Sequence, residues 1–84
     1  MTNAQLHEEA RSQARPELVA YAHNWRYQAV GTLSCHDLLR DEYCGSVDLF
    51  ERYVHETSVQ LHGTEEEVRA KIARQVASHV ERWA

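Results

Sequence analysis

Glycine, proline, cysteine and methionine are all scarce in this chain of 84 residues, at three, one, two and one copies. Three separated glycines exclude a glycine-rich loop of the kind that cradles phosphate. The two cysteines, Cys35 and Cys44, stand nine positions apart in sequence. Paired ligands of a structural zinc site sit roughly two to four residues apart, so that signature is missing. No apolar run approaches the ~18–20 residues of a membrane span. The first fifteen residues are polar and contain no apolar segment of a secretory signal. The resulting expectation is a cytoplasmic protein with free thiols. A nucleophile elbow and a spaced carboxylate pair are also missing. A chain this short has little room for a substrate pocket of several hundred Å³. These absences predict a non-enzymatic protein without a cofactor.

What is present reads first as helix. Hydrophobic residues make up 43% of the chain, sufficient for one small core. Each glycine is followed within three residues by a hydroxyl residue: Gly31 by Ser34, Gly45 by Ser46, Gly63 by Thr64. Glycine suits the position just past a helix end, and Ser or Thr suits the N-cap of the next helix. Apolar spacing supports the same reading, with Leu18, Ala22, Trp25 and Ala29 on one arc, then Phe50, Val54, Thr57 and Leu61. Val68, Ile72, Val76, Val80 and Trp83 form the last stripe, behind a Thr64–Glu67 capping box. The sequence therefore predicts an all-α fold, a small compact four- to five-helix bundle with a C-terminal antiparallel helical hairpin. Residues 1–15 are expected to form an arm or kinked helix, and residues 16–84 the bundle, with helices over 16–30, 34–44, 46–62 and 64–83.

Charge is uneven along the chain. Residues 37–56 hold six acids (Asp37, Asp41, Glu42, Asp48, Glu51, Glu56) against Arg40 and Arg52, which accounts for the whole net charge of −4. An acidic middle argues against direct nucleic-acid binding, which relies on neutralising phosphates. It favours docking on a basic protein surface. The expected function is thus a protein-binding module, a small regulator or inhibitor. One concrete form is a phage-type inhibitor of a nucleic-acid-handling complex such as CRISPR. The expected partner-binding residues are Asp37, Asp41, Glu42, Asp48 and Glu51, joined by Tyr27 and Trp83 as large amphipathic side chains.

Two alternatives remain open from the residues alone. A homodimer would use the final helix and Trp83. A metal ion would use Glu51, His55 and His62, which lie on one side of a helix over 46–62, or the looser set Cys35, His36 and Cys44. His79 projects from the last apolar stripe and is expected to be buried and satisfied by a hydrogen bond.

Overall fold

A computed structural model describes residues 16–82 and overturns most of the helical reading. Strands β1 (Glu17–His23), β2 (Tyr27–Asp37), β3 (Glu42–Glu51) and β4 (Val54–Gly63) are followed by one helix, α1 (Glu65–Glu81). The strands form one antiparallel sheet in the order β1-β2-β3-β4. The expected helices over 16–30, 34–44 and 46–62 are strands and turns, and the C-terminal helical hairpin is a strand followed by a helix. Only the last helix stands, close to its expected bounds. The arm expected over residues 1–15 and Trp83 lie outside the described residues.

Register shows why these segments form strands. Ala29 lies opposite Leu49, and Leu49 opposite Thr57; Gly31 lies opposite Val47, and Val47 opposite Val59; Leu33 lies opposite Gly45, and Gly45 opposite Leu61. Directly opposed residues point to the same side of a sheet. Small and apolar residues thus alternate along each strand with Val30, Thr32, Ser46, Asp48, Ser58 and Gln60 on the other side. Helix α1 covers the first side, placing Val68, Ile72 and Val76 on Ala29, Leu33 and Val47, all buried.

The glycines read as helix stops have a different cause. A methyl group on Gly31 would come within 2.2 Å of Ile72 Cγ2, and one on Gly45 within 2.6 Å of Val68 Cγ1. Both residues sit inside strands, where the helix approaches the backbone too closely for a side chain. Phe50 and Val54, whose spacing suggests the apolar stripe of a helix, are absent from the core. Phe50 faces the uncovered side and Val54 is exposed.

The helix start follows the expected chemistry. Thr64 Oγ1 accepts from Glu67 N at 3.2 Å, and Glu65, Glu66 and Glu67 occupy the positive end of the helix dipole. Near the other end, His79 is 4% exposed and its Nε2 donates to the Phe50 carbonyl at 2.9 Å, as the satisfied buried histidine required. Its ring also meets Tyr27 edge-on, with centroids 4.8 Å apart.

Candidate binding surface

The β2–β3 turn forms a tip held by side chains at its base. Asp37 Oδ1 accepts from Leu39 N at 3.1 Å and from Arg40 N at 3.3 Å, the Asx pattern that fixes a turn from within. Asp41 adopts φ 54°, which aspartate tolerates better than most residues. On the covered side, hydrogen bonding toward Glu65, with burial, pushes the Tyr43 pKa up to about 12, and Asp41 Oδ1 accepts from Glu65 N at 3.5 Å. The tip is thereby anchored to the first turn of α1.

This arrangement turns two leucines outward. Leu38 is 73% exposed and Leu39 is 98% exposed. Single exposed apolar residues are ordinary, but two adjacent ones on an anchored turn form a projecting apolar knob. Asp37 and Glu42 face each other across its base, and Asp41 lies within the turn. Three of the five acids expected at the partner site therefore gather around Leu38 and Leu39.

The other expected residues lie elsewhere. Asp48 sits mid-strand on the uncovered face, where it accepts from Ser58 Oγ at 2.6 Å and stands 3.9 Å from His55 Nε2. Glu51 is at the opposite end of the sheet, 2.7 Å from Arg26 Nε. There hydrogen bonding toward Glu56, then the Arg26 bond, holds Glu51 below the usual carboxylate range, while Glu51 in turn raises Glu56. These two carboxyl groups line a cavity of about 440 Å³ with Arg26, Arg52 and Val54. Tyr27 is corrected outright: at 6% exposure it belongs to the core and offers no contact surface.

Neither expected metal set is assembled. His55 lies opposite Phe50, His62 opposite Cys44, and Glu51 on the covered side at the other end. Cys35 and Cys44 belong to different strands and opposite faces. Among the described residues no cluster of three or more metal-ligating side chains forms. The register does create one pair that sequence spacing concealed: Cys44 Sγ lies 3.4 Å from His62 Nδ1. Eighteen residues separate these two, so only the β3–β4 pairing brings them together.

The uncovered face has a second feature that the helical reading missed. Tyr21, Val30, Phe50 and Tyr53 surround the buried Gln28 amide, forming a shallow depression of about 200 Å³. Gln28 Oε1 accepts from Tyr53 N at 2.9 Å, so the amide is engaged from within the chain. Only the strand register brings Tyr21, Val30 and Phe50 together, because Tyr21 lies opposite Val30 and Phe50 opposite Gln28.

No family model, curated protein or solved structure matches this chain. No helix among the described residues is long and apolar enough to cross a membrane.

Proposed function

We propose that the protein is a non-enzymatic binding module that inserts the β2–β3 tip into an apolar recess bordered by basic residues on another protein. The observation that carries this reading is the exposure of Leu38 and Leu39 on a turn held by Asp37, with Asp41 and Glu42 beside them. Interfaces draw most of their energy from a few central apolar anchors, while rim charges guide encounter and orientation. The tip has both parts in one short segment. The tip's three acids outnumber its one base, Arg40, which stands 3.7 Å from Asp37; that acidic excess suits a surface built for phosphate and supports the more specific reading of an inhibitor seated on a nucleic-acid-handling complex.

The test is affinity capture from the host by the full chain and by three variants. Leu38→Ser/Leu39→Ser should lose the captured protein, and Asp41→Lys/Glu42→Lys should weaken capture in a salt-dependent manner. Asp48→Lys, away from the tip, should retain it. Capture that survives both tip variants rules this reading out.

A further inference from the structure

The two edges of the sheet are not equivalent. Strand β1 has seven residues, follows Pro16 and carries a bulge between Leu18 and Ala20. Its first residue, Glu17, is tied to the helix by Arg69 Nη2 at 2.6 Å. Irregularity of this kind is how sheets protect an edge from pairing. Strand β4 has ten residues, none of them proline, lysine or arginine. Its one irregularity lies at the start, where the register shifts opposite Leu49 and Phe50, so Thr57–Gly63 runs in regular pairing. Among the described residues no strand pairs with its outer edge.

We propose that β4 is a pairing edge for a second copy of this chain, joining two four-stranded sheets into one continuous antiparallel sheet about a twofold axis. The argument for a second copy lies in the strand's own alternation. Thr57, Val59 and Leu61 share the covered side, while Ser58, Gln60 and His62 share the open one. A twofold through Val59 sets Val59 against its own image, Thr57 against Leu61, and Ser58 against Gln60. Apolar or neutral groups then meet their like beside the helices, and polar groups meet polar groups on the open face. Val59 and Leu61 are only half-buried against α1, so an added strand would complete their burial. Ser58 donates to Asp48, and Gln60 donates to Ser46 at 3.2 Å, so both side chains reach back over β3 instead of across the edge. The main-chain N–H and C=O groups of β4 supply the affinity. Because the paired strands run in opposite directions, the two Leu38–Leu39 tips would point to opposite ends of the dimer. This inference does not depend on what the tips bind.

Sedimentation equilibrium of the full chain at roughly 100 µM, well above a micromolar dissociation constant, should give twice the chain mass. Ser58→Lys/Gln60→Lys places like charges opposite each other at both crossings and should weaken self-association by about tenfold, with the far-ultraviolet spectrum unchanged. If that variant fails to fold, amide hydrogen exchange on the unmodified chain decides: β4 amides should become more protected as concentration rises. A monomer at that concentration, self-association untouched by the folded variant, or β4 exchange independent of concentration would each overturn the proposal.

Discussion

The two faces of the sheet obey opposite steric rules. On the face under α1, Gly31 and Gly45 are bare backbone because Ile72 and Val68 occupy the space a methyl group would need. On the other face, Tyr21 and Tyr53 are exposed, and Asp48, Ser58 and His55 interact with one another there. One face specifies the fold by tight fit, and the other is under no such constraint. Recognition surfaces can therefore occupy the open face, its edges and the turns without competing with the core.

The sharpest way to break this comparison is Gly31→Ala. The added methyl group has to displace Ile72, and overpacking of this kind costs about 1–3 kcal/mol. In a domain this small that lowers the melting temperature by several degrees, on the order of 4–8 °C per kcal/mol. Gly31→Ala combined with Ile72→Ala should cost less than the sum of the two single losses, a coupling that a double-mutant cycle measures. Additive losses would mean that the helix does not press on Gly31.

A somewhat smaller change, in the stabilising direction, is expected at the β3–β4 turn. Arg52 and Tyr53 have φ of 51° and 67°, the pair of left-handed residues found in a two-residue hairpin loop. Each such residue with a side chain costs roughly 1–2 kcal/mol, which Asn and Gly largely avoid. Arg52→Asn/Tyr53→Gly should therefore raise stability by about 1 kcal/mol in denaturant unfolding, although it deletes a ring from the open face. A loss would show that the Tyr53 ring is part of the structural core. Tyr21→Ser, on the same face, should shift stability by no more than about 0.5 kcal/mol.

The same residues explain how much of the molecule was legible. Helix α1 could be read because three independent signals agree: a five-member apolar stripe, the Thr64–Glu67 box and acids in the first turn. The strands were obscured from both sides. Glycines occupy positions that alternation would have marked as apolar, and Val30 and Phe50 put apolar residues on the open face. The residual pattern at Phe50, Val54 and Leu61 then imitates helical spacing. The β3–β4 hairpin carries no glycine or asparagine, so Arg-Tyr gives no turn signal. Of the proposed binding site, the acids at 37, 41 and 42 are visible in the sequence as charge. Their separation from Asp48 and Glu51 follows only from register, and a helix over 34–44 conceals the exposure of Leu38 and Leu39.

An effect confined to alkaline pH concerns Tyr43, where the covered face reaches the tip. Hydrogen bonding toward Glu65 favours the neutral phenol and raises its folded-state pKa to about 12 from an ordinary value of 10.0. Below pH 10 both folded and unfolded chains hold this proton, so the stabilising contribution is fully present. Between pH 10 and about 12 the unfolded chain releases the proton first, and stability falls until the folded state ionises as well. Tyr43→Phe removes that difference. Melting temperatures followed from pH 8 to pH 12 should therefore fall less steeply for the variant than for the parent, with other alkaline titrations common to both. If the two curves run parallel, Tyr43 does not bond to Glu65 in solution, and the tip has lost one of its anchors to the helix.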